Sequence, residues 1–462
     1  MAAIVISGGG VVGLSTAMLL AQDGHEVTVL ERDPAPVVDP AEAWAAWERQ
    51  GVNQFRLLHF FLPRFRTILE AELPDVAKAL DDAGALRFNP LALIPEEIRG
   101  PLRPDDDRFE SLTARRPVVE AVVAATAEAT PGVTVRRGAA VTGLVGSEPG
   151  RAVGVRTATG DIRADLVVDA GGRRSQLPAW IEGIGGGRVE EELDDSGFVY
   201  YGRHFRGELP VMFGPLLQDY GSVSILTLPA DHGTWGLGVI VSNNDPVMRG
   251  LRHVDRWTNV VKSLPLAAHW LEGEPVEDAI TVMAKIEDRH RSFVVGGEPV
   301  ATGVIALGDA WACTNPSVGR GASIGLLHAV ALRNLLRSDV APGRDLALAW
   351  HRTTQETVEP YYRATLDFDR HRLAEIDATV EGREIPTDDG WEMVKALGHA
   401  ANQDPDCLRA LLDVVSMLAL PADAVTPVFD KVIALGAGWR DVPAMGPTRA
   451  ELVALASGTP EG

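Results

Sequence analysis

The first thirty residues leave this chain few choices of fold. Ala3 to Ser7 is a short, apolar, β-branched run and predicts a buried strand. Gly8-Gly9-Gly10-Val11-Val12-Gly13 follows, and Val11 to Gln22 then reads as a helix ending at Gly24. Glu26 to Leu30 reads as the next strand, which completes a βαβ unit. The glycines have GxGxxG spacing between strand and helix. There they allow a tight turn and close backbone approach, while the helix N-terminus offers N–H donors and positive potential to a pyrophosphate. Glu31 closes the second strand, where a carboxylate can accept ribose hydroxyls. Arg32 reads either as a neighbour of that ribose or adenine, or as a solvated arginine.

The same stretch bears on where the chain works. Ala2 to Ala21 is nearly all apolar, but it lacks a basic start and is broken by glycines, so it is expected to be neither signal peptide nor membrane span. A cytoplasmic protein is expected. Lys and Arg number 43 against 64 acidic residues, a net charge of −21. That field repels nucleic-acid phosphates and anionic lipid, so no nucleic-acid or membrane partner is expected; the same charge also keeps a protein soluble. The two cysteines, Cys313 and Cys407, are far apart, and no CxxC, HExxH or HxxxH spacing occurs. No metal site or redox dithiol is expected, and a reducing compartment is the simple reading.

With 462 residues the chain has room for two or three domains, or a large discontinuous one. Ala41 to Leu80 reads as mostly helical, with Pro63 and Pro74 as breaks. Arg116 to Ala129 reads as a helix with Pro117 in its first turn. Val133 to Arg136, Val141 to Val145, Ala152 to Thr157 and Ile162 to Asp169 read as strands. From about Gly183 to Val295 the pattern is mostly β, with runs at Phe198 to Phe205, Ser222 to Leu228 and Trp235 to Ser242. Val304 to Leu307 returns to a buried parallel strand, Ile324 to Leu336 is a helix, and helical pattern continues from about Leu346. The expected fold is α/β, α+β overall. A discontinuous Rossmann-type domain (1–182 and 296–340) is followed in space by a β-sheet domain (183–295) and a C-terminal helical region (341–462).

Four further segments join the glycine turn. Arg115-Arg116-Pro117-Val118-Val119-Glu120 opens a helix. Asp165-Leu166-Val167-Val168-Asp169-Ala170-Gly171-Gly172-Arg173 and Ile305-Ala306-Leu307-Gly308-Asp309 each end a strand in a turn. Asn315-Pro316-Ser317-Val318-Gly319-Arg320-Gly321-Ala322 then leads into a helix. In order and spacing, over roughly residues 1–340, the sequence resembles the FAD-dependent monooxygenase superfamily of the p-hydroxybenzoate hydroxylase fold, nearest its styrene-monooxygenase-like and halogenase-like branches.

The resemblance implies FAD as cofactor. It implies Gly8, Gly10, Val12 and Gly13 at the pyrophosphate, Glu31 and Arg32 at the adenosine, and Val141 at adenine. Arg116 lies on the flavin side, Asp309 on the ribityl chain, and Pro316 beside the isoalloxazine; Gly319, Gly321 and Ala322 lie near its pyrimidine edge. N–H groups at the start of the following helix can stabilise charge on a reduced flavin. It implies a monooxygenase that adds one oxygen of O2 to a small organic substrate through a flavin C4a-hydroperoxide in a water-poor pocket. The family's Asp-Gly motif would put aspartate at position 171, which is Gly171 here, and no second strand–GxGxxG–helix unit follows. Reduced flavin from a separate reductase is therefore expected. The alternatives are a flavin dehydrogenase, oxidase or double-bond reductase, a non-catalytic carrier on the same fold, and a halogenase, whose Trp-x-Trp-x-Ile-Pro pattern is missing.

Other residues stay open. His59, Asn315 and Pro316 are candidates for the catalytic space. Gln54 to His59 reads as the opening of a helical stretch whose polar residues can face the flavin; His59 reads equally as a satisfied or exposed histidine. Arg49 reads as reaching FAD phosphate or as a surface arginine. Trp311, Cys313 and Asn315 can line the substrate space, with Cys313 as a small filler. Tyr200, Tyr201 and His204 face either the flavin or the core. Gly321-Ala322-Ser323-Ile324-Gly325 has G-x-S-x-G spacing but no strand before the serine, which a hydrolase elbow needs. Asp105-Asp106-Asp107 and Glu190-Glu191-Glu192 read as solvated loops, and Asp288-Arg289-His290-Arg291 and Asp369-Arg370-His371-Arg372 as surface ion pairs.

Overall fold

The computed structural model describes residues 1–52, 54–443 and 445–458. Strand Ala3–Ser7, helix Val11–Gln22 and strand Glu26–Glu31 follow one another at the start. Five parallel strands form the central sheet in the order Val304–Ala306, Leu166–Asp169, Ala3–Ser7, Glu26–Glu31, Val133–Arg137. Ser7 pairs with Leu30 on one side and Asp169 on the other, so three carboxyl ends finish level. The strand order reverses beside Ala3–Ser7, and the crevice beyond those ends is where such a sheet receives ligand. Ile4, Val5 and Ile6 are buried on both faces, as a continuous apolar run in a covered parallel sheet must be. Helix Gly321–Leu336 approaches helix Val11–Gln22 through Gly325, where an added Cβ would lie 2.3 Å from Val12.

The second sheet is antiparallel. Its strands run Leu217–Tyr220, Val223–Pro229, Thr234–Ser242, Phe198–Arg206 and Glu274–Pro275, with Thr281–Met283 also paired to Phe198–Arg206. Trp235, Trp257 and Trp270 pack one of its faces, and Leu452 and Ala456 of helix Arg449–Ser457 enter the same cluster. Farther up the chain, Val358, Tyr362, Leu366 and Met417 pack with Val155 and Val167 beside the parallel sheet. The C-terminal helices thus serve both halves of the molecule. The mixed architecture expected from the sequence is present, and no helix among the described residues is long and apolar enough to cross a membrane.

Several local expectations fail for identifiable reasons. Pro63 and Pro74 start helices Pro63–Glu72 and Pro74–Asp82 rather than interrupting one, since a first-turn proline loses no hydrogen bond. Among the described residues, 47–52 and 54–62 form no helix; Gln54 sits in a turn and His59 in irregular backbone. The run Ile162 to Asp169 is two elements: Gly160–Arg163 belongs to an antiparallel meander and Leu166–Asp169 to the parallel sheet. Asp165 at the break accepts the Ala3 N–H at 2.8 Å. Glu190–Asp195 is a strand paired to Glu287–Ser292, not a loop. Asp106 is buried, and its carboxylate takes the Arg409 guanidinium at 2.6 Å.

Candidate functional site

One cleft of about 2360 Å³ runs from the glycine turn, along the 314–322 segment, to the antiparallel sheet and the C-terminal helices. Ordinary ligand pockets hold roughly 300–1,000 Å³, so this one can take a large ligand and a second smaller one together.

The glycine turn is shaped by three different needs. Gly8 has φ +110°, and an added Cβ would lie 2.4 Å from the Ala170 carbonyl oxygen; at Gly13 it would lie 2.1 Å from that of Gly8. Gly10 differs: nothing lies within 4 Å of its Cβ position, and it borders the open cleft. Two glycines build the turn and the third leaves space at a helix N-terminus. That combination fits the pyrophosphate of a dinucleotide.

Beneath the turn lies a buried ionic chain. Glu31 accepts the Gly9 N–H at 2.8 Å and the Asp33 N–H at 2.9 Å, and takes Arg49 Nη2 at 2.6 Å. Arg49 also donates to the Gly9 carbonyl at 3.2 Å and to Glu120. Glu120 holds Arg116 Nε at 2.7 Å, and Arg116 Nη1 meets His59 Nε2 at 3.1 Å. Burial would raise the pKa of Glu120, but the Arg116 and Arg49 charges outweigh it and hold the carboxyl below its usual range. Arg49 is therefore no surface arginine: it is spent on two carboxylates and a carbonyl. Glu120 escaped sequence reasoning, although its position four residues after Arg116 on one helix face was the available signal.

His59 Nδ1 donates to the Leu57 carbonyl at 3.0 Å, which leaves Nε2 to accept from Arg116. Burial first, and the Arg116 charge second, push the imidazole down to about 3. His59 is neutral and half-buried, with both ring nitrogens satisfied.

On the far side of the turn, Asp169 is buried and accepts the Gly171 N–H at 3.0 Å and the Ser175 hydroxyl. Burial pushes its carboxyl up to about 6. It shapes the Ala170–Gly172 turn. Asp309 borders the cleft, and burial raises its carboxyl too.

The 314–322 segment is braced from behind. Tyr200 donates its hydroxyl to Asn315 Oδ1 at 2.7 Å, the Asn315 N–H donates to Asp288 Oδ1 at 2.7 Å, and the Ser317 hydroxyl donates to Asp369. Burial pushes Asp288 up to about 6 and Asp369 up to about 8. The two Asp-Arg-His-Arg repeats are thus not simple surface ion pairs. Their aspartates turn inward onto this segment, and Arg372 is buried against Glu375 at 3.0 Å.

Gly8, Gly10, Val12, Gly13, Glu31 and Arg32 all border the cleft, as do Arg49, Gln54, His59, Arg116 and Val141. So do Asp309, Pro316, Gly319, Gly321 and Ala322. Asn315 does not: it is 1 % exposed and turned into the bracing network. Trp311 is buried among His290, His328 and Tyr362. Cys313 borders the cleft, but burial pushes its thiol up to about 12, so it is no thiolate nucleophile. Tyr201 lies in the sheet's core and His204 bonds Glu277 at 3.0 Å. Ser323 is fully buried in helix Gly321–Leu336, with no partner for its hydroxyl, which removes the hydrolase alternative.

Residues 3–39 match the family of FAD dependent oxidoreductases (DAO). Protein Rv3254 of Mycobacterium tuberculosis is 27% identical over 386 residues, covering 78% of each chain. D-amino acid dehydrogenase 2 of Ralstonia nicotianae is 58% identical over 33 residues, 7% of this chain and 8% of its own. Among solved structures, PqsL of Pseudomonas aeruginosa, described as a probable FAD-dependent monooxygenase, superposes with a TM-score of 0.57 at 15% identity, covering 89% of this chain and 99% of its own. A variant of 2-methyl-3-hydroxypyridine-5-carboxylic acid oxygenase gives 0.58 at 17%, covering 81% and 93%. OxyS anhydrotetracycline hydroxylase of Streptomyces rimosus gives 0.56 at 19%, covering 90% and 76%. The chain shares the fold of these three proteins.

Proposed function

We propose that the chain is an FAD-dependent oxidoreductase and, within that class, a monooxygenase acting on a small organic substrate with O2. One observation carries the reading: Gly10, Arg116, Asp309 and the 316–322 segment, far apart in sequence, border a single cleft that continues to the apolar face of the antiparallel sheet. The match at residues 3–39 and the fold support FAD in particular. In this reading Gly8, Gly10 and Gly13 hold the pyrophosphate and Glu31 the ribose. Asp309 and Arg116 hold the central part, and Pro316, Gly319, Gly321 and Ala322 border the ring system. Bound FAD supplies two-electron redox chemistry and the activation of dioxygen.

The chain's own residues position and exclude. Arg116, fixed by Glu120 and His59, presents a cation of set direction. Leu58, Phe60, Leu226 and Leu228 keep water from the reacting region. His59 and Cys313 supply no proton-transfer group at neutral pH. Gly171 at the position of the resembled family's aspartate, with the acid two residues earlier at Asp169, and a single glycine turn of the nucleotide-binding type among the described residues, support a separate reductase as electron source.

The test begins with the purified protein. FAD should bind and turn it yellow, and NADH or NADPH alone, without air, should leave it oxidised. After reduction by dithionite and exposure to labelled O2, one labelled oxygen should enter a substrate. A colourless protein that takes up no FAD sinks the reading. Peroxide released in full, with no label incorporated into any substrate tried, favours an oxidase.

A further inference from the structure

Past the 316–322 segment the cleft wall is apolar. Leu226, Leu228 and Met283 of the sheet border it together with Leu58 and Phe60, and all five share one packed cluster. The sheet receives Leu58 in a dimple of three glycines: an added Cβ would lie 2.2 Å from it at Gly236, 2.4 Å at Gly238 and 3.1 Å at Gly202. The polar side chains on this side are spent, Tyr200 on Asn315 and His204 on Glu277.

One cation bordering the same cleft is not spent. Arg320 directly precedes helix Gly321–Leu336, is 7% exposed and borders the cleft. Nη1 donates to Thr365 at 3.2 Å, Nε is enclosed without a partner, and Arg320 forms no salt bridge among the described residues. Asp369, the acid nearest in charge, is taken by the Ser317 hydroxyl, and burial keeps it largely protonated. Asp219 and Asp388 are held by Arg372 and His371, and Asp367 is solvent-exposed. A desolvated cation without a counter-charge is costly, and an anionic ligand relieves that cost. The helix N-terminus adds potential of the same sign.

We propose that Arg320 anchors the anionic group of an otherwise apolar substrate: a monoanionic organic acid whose hydrocarbon body lies against Leu226, Leu228 and Met283. What happens to that acid rests on the oxidoreductase reading; its binding does not.

The full chain, with and without FAD, is titrated calorimetrically with 2-naphthoate and with its methyl ester, which keeps the rings and loses the charge. The acid should bind at least about tenfold tighter, as a charge-assisted contact in a dry site requires. Arg320→Met should abolish that preference by weakening the acid alone, and Arg320→Lys should keep part of it. If the methionine variant does not fold, the lysine variant decides: full loss of the preference there counts against the proposal. Equal binding of acid and ester, binding of neither, or displacement of the acid by FAD overturns it; in the last case Arg320 serves the cofactor. Failure to take up FAD sinks the oxidoreductase reading and leaves the acid-to-ester ratio to judge Arg320.

Discussion

Arg116 donates from Nη1 to His59 Nε2 across 3.1 Å, and the Leu57 carbonyl fixes the opposite ring nitrogen at 3.0 Å. The geometry makes His59 an acceptor, and desolvation beside Arg116 holds its pKa at about 3. A group so placed aims its partner and does not shuttle protons. His59→Ala should weaken FAD binding about tenfold, the cost of one lost hydrogen bond to a charged group. His59→Gln, whose amide oxygen can still accept, should recover part of it. The pH dependence of kcat should not change in either. A limb with a midpoint near 6.5 that disappears in His59→Gln would make His59 a proton carrier after all.

Glu120 joins Arg49 and Arg116, and all three are largely withdrawn from water. Removing its charge leaves the Arg116 guanidinium without a carboxylate and takes one of its carboxylates from Arg49. Glu120→Ala should destabilise the fold by about 3–5 kcal/mol, the range for breaking a buried pair by deleting one partner. Glu120→Leu combined with Arg116→Met should cost less than Glu120→Ala alone, because Arg116, paired with no other carboxylate among the described residues, is then removed with its partner. Chemical denaturation of the three proteins measures this, and a double variant weaker than the single one would refute the coupling.

The N-terminal βαβ unit was legible because strand period, glycine spacing and helix length all agree over thirty residues. Glu120 could have been found from its spacing to Arg116. Residues 54–62 could not: they follow no period, and they meet Arg116 through His59 on one side and the Gly202, Gly236 and Gly238 dimple through Leu58 on the other. Nor could the roles of Asp288 and Asp369 be read, since each meets its partner across a long sequence separation, 52 residues in the case of Ser317 and Asp369. Charged tetrapeptides look alike on a surface and in a buried brace until the sheet and helix that carry them are packed.

Gly10 and Gly13 should respond differently to the same change. Gly13→Ala drives a methyl group to 2.1 Å from the Gly8 carbonyl oxygen and should prevent folding of the turn. Gly10→Ala meets no protein atom within 4 Å, so the melting temperature without FAD should move little. The same methyl group occupies the space proposed for the pyrophosphate, and FAD affinity should fall by at least about tenfold, since close backbone approach is the reason for glycine there. Unchanged FAD binding in Gly10→Ala would remove the glycine turn from the site.

Asp369 and His59 give stability opposite pH dependences. An unfolded aspartate titrates near about 3.9 and the folded Asp369 at about 8, so between these values only the folded state keeps the proton. Its contribution is fully present below about pH 4 and is lost as pH rises through 8, with a slope of at most about 1.4 kcal/mol per pH unit. His59 runs the other way. Its folded value of about 3 lies below the unfolded value of roughly 6.5, so its contribution is intact above 6.5 and is lost as pH falls toward 3. Asp369→Asn keeps a polar partner for Ser317 and cannot ionise. The variant should melt close to the wild type at pH 5 and above it at pH 8.5, with the gap opening steadily between. Melting curves at half-unit pH steps measure the gap, and two parallel curves would mean that Asp369 is ionised in the folded protein, with Arg320 as its counter-charge.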